Sequence, residues 1–139
     1  MKAAGTNVVL DASAALSFFR PSETASPELE AALDVVTGHG AIVPGNFWSE
    51  VANALLRAER RKQLDATATA NILATMLALE LRVELADPHL IVTVSREHGL
   101  TCYDGAYLAL ALQCRTTLVT ADQALRRAAD SVKVRWWRT

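Results

Sequence analysis

The chain has 139 residues, is 51% hydrophobic and 21% charged, and sets 14 Lys+Arg against 15 Asp+Glu for a net charge of −1. This length suits one domain over residues 1–139, and the apolar content excludes a disordered chain. The near-neutral balance excludes nucleic-acid binding by bulk positive charge, though not by a local site; no run of about eighteen apolar residues predicts a membrane span, and residues 1–20 lack the apolar core of a secretory signal.

In chain order, Val8-Val9-Leu10 reads as a buried strand that stops at Asp11, and Ala12 to Leu16 as helix. Ser26-Pro27-Glu28 opens a second helix with a cap, a first-turn proline and a first-turn acid, and Leu29, Leu33 and Val36 form its apolar stripe. Gly38 and Gly40 end it, and Ala41-Ile42-Val43 reads as the next strand. A helix is predicted over 46–61, with Phe47, Val51, Ala54 and Ala58 inward, and another over 65–82 with Ile72, Met76 and Leu79 inward. A short strand at 83–85 follows, then a helix from Asp87-Pro88 to Gly99 and an almost wholly apolar helix over 101–115. Thr117 to Thr120 is a strand, 122–129 a short helix, and 132–134 a last strand. Short apolar runs alternating with helices predict an α/β domain with a mostly parallel sheet.

Cys102 and Cys114 share the predicted 101–115 helix. Twelve residues of helix separate them by about 18 Å, far beyond disulfide reach, so both are read as free thiols of a reducing, cytoplasmic compartment.

Four acids stand in unusual places. Asp11 and Asp122 close buried-strand candidates, so both fall at the carboxyl edge of a parallel sheet, where α/β proteins bind ligands. Each also suits a helix N-cap. Glu50 flanks the buried stripe of its helix, with Asn53 and Arg57 along the same margin; a surface salt-bridge margin explains the same pattern. Asp104 shares a face with Leu108 and Ala111 and so points inward, unless Thr101-x-x-Asp104 is a capping box. Two carboxylates about 4 Å apart repel by roughly 4 kcal/mol at an effective dielectric near 20, so such a cluster needs protons or a cation. Oxygen-only ligation selects Mg²⁺ or Mn²⁺, and His39, His89 and His98 are too scattered for zinc. Such an ion polarises a phosphate and lowers the pKa of an attacking water.

Val9-Leu10-Asp11-Ala12-Ser13-Ala14 resembles the opening motif of the PIN-domain ribonucleases. Pro44 with Glu50-Val51-Ala52-Asn53-Ala54-Leu55 resembles their second acidic motif, Tyr103-Asp104-Gly105-Ala106-Tyr107-Leu108-Ala109-Leu110-Ala111 their third, and Leu118-Val119-Thr120-Ala121-Asp122 their fourth. Four motifs in order across residues 7–126 make the resemblance specific, and within the family the chain looks like the VapC-type toxins. The resemblance implies a PIN-like domain with a parallel sheet flanked by helices, metal-dependent endonucleolytic cleavage of RNA, a small antitoxin that blocks the site, and a homodimer. By motif position it implies Asp11, Glu50, Asp104 and Asp122 as the acidic set, with Asp11, Asp104 and Asp122 on Mg²⁺ or Mn²⁺ and Ser13 and Asn53 as polar support. Gly105 departs from the small residue, such as alanine, expected there, which touches helix stability by about 1 kcal/mol.

Arg57, Arg60, Arg61 and Lys62 form a basic patch for RNA phosphates or a solvated helix end. Trp136 and Trp137 are expected to pack on the chain's own core or on a second copy rather than on bases. Ser13 is not the second aspartate a dehalogenase-type phosphatase needs, and no Gly-rich phosphate loop or Gly-x-Ser-x-Gly elbow occurs. The alternative to a nuclease is an interaction module whose acidic cluster is structural.

Overall fold

Val8–Leu10, Ala41–Val43 and Leu118–Val119 are buried at every residue. Strands that are apolar on both sides are covered on both faces, as in parallel sheets. A computed structural model describes residues 7–19 and 27–136. Its elements are β1 (Val8–Leu10), α1 (Ala12–Phe19), α2 (Pro27–His39), β2 (Ala41–Val43), α3 (Phe47–Arg60), α4 (Ala66–Leu77), β3 (Leu81–Val83), α5 (Pro88–His98), α6 (Cys102–Cys114), β4 (Leu118–Val119) and α7 (Gln123–Ser131). The strands form one sheet in the order β3-β2-β1-β4, every pairing parallel.

This order creates the place where a ligand fits. From β1 the chain crosses to β2 and β3 on one side, then returns to put β4 on the other. The connections at the carboxyl ends of β1 and β4 therefore diverge and leave a crevice between them. Asp11 follows the end of β1 directly, and Asp122 follows the end of β4 after Thr120 and Ala121.

α6 runs through the centre. Gly105 through Ala111 are all buried, and the helix has no polar face. At Gly105 an added Cβ would stand 1.9 Å from the Ser95 Oγ of α5. The glycine therefore lets the Ser95 hydroxyl of α5 lie against α6, a close approach that a larger residue would have to displace. α3 buries Phe47, Val51, Leu55 and Ala58, so Leu55 takes the place expected of Ala54. In α2 the buried residues are Ala32 and Val36, while Leu29 and Leu33 are half-covered.

Three predicted elements differ. The 65–82 helix ends at Leu77, and the third strand is Leu81–Val83 rather than 83–85. Its register explains the shift: Ala41 donates its N–H to the Glu80 carbonyl (2.9 Å) and pairs with Leu81. Gly40 makes this approach possible, because it sits at φ +77° and a Cβ there would lie 2.4 Å from the Glu80 carbonyl oxygen. The predicted strand at 132–134 is instead the turn leaving α7. Strand-like pairing comes later, where the Leu118 N–H donates to the Arg135 carbonyl (2.8 Å) and Leu118 bridges Trp136. The predicted Ser26 cap and Trp137 lie outside the described residues.

Cys102 and Cys114 are free, at opposite ends of α6. Among the described residues no helix is long and apolar enough to cross a membrane.

Candidate active site

Asp11 leaves β1 and caps the next helix: its Oδ1 accepts the Ala14 N–H (2.9 Å) and the Ser13 hydroxyl (2.7 Å). Its Oδ2 accepts the Thr120 hydroxyl (2.5 Å), which joins the ends of β1 and β4. The side chain is buried, and that burial raises its pKa from 3.8 to about 6. Three hydrogen bonds hold the rise back, while the charge of Asp122 adds to it. The protein thus keeps a carboxylate where its charged form is disfavoured.

Asp122 caps α7 through Oδ1, which accepts the Leu125 N–H (2.9 Å). The Thr120 hydroxyl is shared: it donates to Asp11 and accepts the Asp122 N–H (3.0 Å). Ser13 works in the same way, donating to Asp11 and accepting the Ala121 N–H (3.2 Å). Capping and clustering are therefore one arrangement at the ends of β1 and β4, and the two explanations open from the sequence coexist.

Asp104 lies in the first turn of α6 behind the Thr101 cap, whose hydroxyl accepts the Asp104 N–H (3.1 Å). Its carboxyl pKa is raised by desolvation and then by the charge of Asp122. Asp122 thus lies within electrostatic reach of both Asp11 and Asp104. Their side chains do not form a ready-made cage, because no three metal-ligating side chains converge among the described residues.

Glu50 joins through a partner that the sequence did not single out. Tyr107, buried in α6, donates its hydroxyl to Glu50 Oε2 (2.5 Å) and also feels the charge of Asp11. Its phenol is pushed far above its ordinary value, by burial first and by Glu50 second, so it stays a donor. Asn46 donates to the same Oε2 (2.7 Å) and to the Tyr103 carbonyl (3.4 Å), tying the start of α3 to the start of α6. The signal for Tyr107 was present: a phenol within an otherwise apolar central helix needs a partner for its hydroxyl. Asn46 and Thr120 carried no signal beyond lying near an acid.

Asn53 is exposed one turn beyond Glu50, without a hydrogen bond to the acidic residues. Arg57, Arg60, Arg61 and Lys62 are all exposed at the far end of α3, with Arg57 about 10 Å along the axis from Glu50. Arg57 and Arg60 lie on the helix that carries Glu50, and Arg61 and Lys62 on the turn that follows it, all outside the site's hydrogen-bond network. Trp136 packs on its own chain, with the Arg126 guanidinium 4.4 Å over its ring and its indole N–H on Asp130 (3.0 Å).

The donor set is hard oxygen throughout and suits a divalent cation such as Mg²⁺. Asp122 Oδ2 and Glu50 Oε1 carry no hydrogen bond among the described residues, and Asp11 Oδ2 accepts one only. A carboxylate oxygen has two acceptor positions, so each of these three keeps capacity for a cation or a bound water.

The solved structures that this fold resembles include PAE2754 from Pyrobaculum aerophilum, at 25% identity and a TM-score of 0.69 over 91% of this chain and 87% of that one. FitAcB from Neisseria gonorrhoeae is similar at 19% identity and a TM-score of 0.61, over 94% and 96% of the two chains. A toxin–antitoxin complex from Klebsiella pneumoniae is similar at 19% identity and a TM-score of 0.55, over 84% and 87%. No curated protein matches the sequence. The PIN domain family model matches residues 8–131, which spans every element from β1 to α7 and all four acids, and the chain belongs to the PIN domain family.

Proposed function

We propose that the chain is a metal-dependent endoribonuclease and the toxin of a type II toxin–antitoxin pair. PIN family membership supports the nuclease, and the likeness to a toxin–antitoxin complex supports the toxin role. The observation that carries the reading is Asp11, a carboxylate buried at a sheet switch point, fixed by three donors and kept beside Asp122 despite their repulsion. Stability alone does not call for that arrangement.

Asp11, Asp104 and Asp122 would hold Mg²⁺ or Mn²⁺, which when bound lowers the pKa of water and offsets charge on phosphate oxygens. Ser13 and Thr120 hold Asp11 in one orientation. Tyr107 and Asn46 fix one oxygen of Glu50 and leave the other to orient water or accept a proton. No activated protein nucleophile stands nearby, so direct attack by water, yielding a 3′-hydroxyl and a 5′-phosphate, is the proposed chemistry. Arg57, Arg60, Arg61 and Lys62 would steer RNA phosphates toward the start of α3. An antitoxin, a second copy of the chain and a cytoplasmic location complete the proposal.

Two observations favour a structural cluster as the second reading: Asp11 and Asp122 cap helices, and no three ligating side chains converge among the described residues. One experiment separates the readings. The purified, antitoxin-free protein is incubated with a structured RNA pool in Mg²⁺, Mn²⁺ or EDTA, beside Asp11→Asn and Asp104→Asn. Metal-dependent cutting lost in both variants is expected. A 2′,3′-cyclic phosphate product would overturn the water-attack chemistry. Absence both of cutting and of any metal-dependent thermal shift would leave the structural reading.

A further inference from the structure

At the other end of the sheet, where the strands begin, a cleft of about 470 Å³ opens between the end of α6, the approach to β4 and the segment that leaves α7. Arg115, Lys133 and Arg135 line it with the hydroxyl-bearing Thr116 and Thr117, over a floor that includes Val134. It carries three formal positive charges and no acid, in a chain of net charge −1. Among the described residues no ion pair engages any of the three cations.

Their backbones add a second observation. Arg115 and Lys133 adopt left-handed conformations, at φ 53° and 60°. These positions follow α6 and α7, where glycine is the usual and less strained residue. The molecule uses glycine for that purpose at Gly40 and Gly99. Both turns are pinned: Arg115 donates its N–H to the Leu112 carbonyl (3.3 Å), and Lys133 to the Asp130 carbonyl (3.2 Å). Arg135 is fixed through its carbonyl, which accepts the Leu118 N–H (2.8 Å). A favourable interaction with a helix C-terminus accounts for a cation at Arg115 or Lys133. It does not account for Arg135, which lies on no helix, or for the three meeting in one cleft.

We propose that this cleft is a second binding site, specific for the phosphate of a nucleotide, and separate from the acidic cluster. Three cations on pinned backbone and the Thr117 hydroxyl match a phosphate group, the Thr116 hydroxyl being committed to the Asn7 carbonyl, and the volume and partly apolar floor leave room for the attached nucleoside. A free nucleotide and the backbone of an RNA strand present the same chemistry.

The test uses the whole chain in EDTA. Inorganic phosphate, adenosine 5′-monophosphate and a short single-stranded oligoribonucleotide are titrated by calorimetry into the parent protein, Arg115→Gln/Lys133→Gln/Arg135→Gln, Arg115→Gly/Lys133→Gly and the control Arg96→Gln. The proposal expects binding that weakens about tenfold or more in both cleft variants and stays within about twofold in the control. The glycine variant should keep or raise the melting temperature, so lost binding there is not lost folding. Tighter binding of the monophosphate than of the oligonucleotide assigns the site to a free nucleotide, and the reverse order assigns it to a strand. Failure of all three probes to bind at millimolar concentration overturns the proposal. Equal binding by parent and cleft variants, or an equal loss in Arg96→Gln, also overturns it.

Discussion

At the carboxyl ends of β1 and β4, the Thr120 hydroxyl bridges the Asp11 carboxylate and the Asp122 N–H, and the charge of Asp122 reaches both Asp11 and Asp104. At the beginning of the same sheet, Arg115, Lys133 and Arg135 line one cleft. Both ends bring like charges together, but the cost takes different forms. The acidic end carries it as desolvation of a buried carboxylate, and the basic end as backbone strain at two exposed residues. Burial accompanies Asp11 because the end of β1 lies inside the fold, while Glu50, Asp104 and Asp122 are only partly covered. The cations sit on turns, where φ is the one variable left to give.

Substitutions should separate the two ends. The largest effect is expected for Asp11→Asn and Asp104→Asn: RNA cleavage should fall about 10²-fold or more, several kcal/mol of barrier, while phosphate binding at the basic end is unchanged. Initial cleavage rates and calorimetry on the same preparations check both halves. Phosphate binding that fell in step with cleavage would merge the two ends into one site.

A second effect concerns pH. The native Asp11 pKa of about 6 exceeds its ordinary 3.8, so the folded state holds a proton that the unfolded state has already released. In EDTA, stability should therefore be complete below pH 3.8 with respect to this group and fall by about 3 kcal/mol as pH rises through about 6. Urea unfolding across that range measures the slope, and Asp11→Asn should flatten it. Saturating Mg²⁺ at neutral pH should restore stability if the charge is there to hold the ion. No counterpart is expected at the basic end.

Gly105→Ala tests a place remote from the basic cleft. It should destabilise by about 1–3 kcal/mol through the Ser95 clash, and Ser95→Gly in the same chain should recover part of the loss. Tyr107→Phe, which keeps the buried ring, should cost about 1 kcal/mol and lower cleavage by freeing Glu50. The smallest effect has the opposite sign: Arg115→Gly and Lys133→Gly should each stabilise by up to about 1 kcal/mol. Lys62→Gly relieves the same strain, at φ 59°, outside the cleft, and should leave the cleft's affinity for adenosine 5′-monophosphate intact.

The legible parts of the fold were those that chain-local physics decides. β1, β2 and β4 announce themselves as apolar runs, and Asp87-Pro88 and Gly99 mark both ends of α5. The end of α4 was not legible, because Leu77 through Arg82 are all ordinary helix formers. Pairing with Ala41 decides against the helix, and that contact lies 40 residues away in sequence. As an edge strand β3 is half-exposed and offers no alternation to read. At the site, the four acids were visible from motif and position, whereas the groups that orient them were not. Thr120, Asn46 and Tyr107 matter only because tertiary structure brings each one to an acid.

The Thr120–Asp11 hydrogen bond joins residues 109 positions apart. In the time order of synthesis, the first acid emerges well before the partner that fixes it. Strand pairing of such high sequence separation forms late in folding. A nascent chain released before β4 has neither the hydroxyl that fixes Asp11 nor the carboxylate of Asp122. The acidic cluster is thus complete only once residue 122 has been made, and fragments that stop short of β4 carry the first motif without the centre to which it belongs.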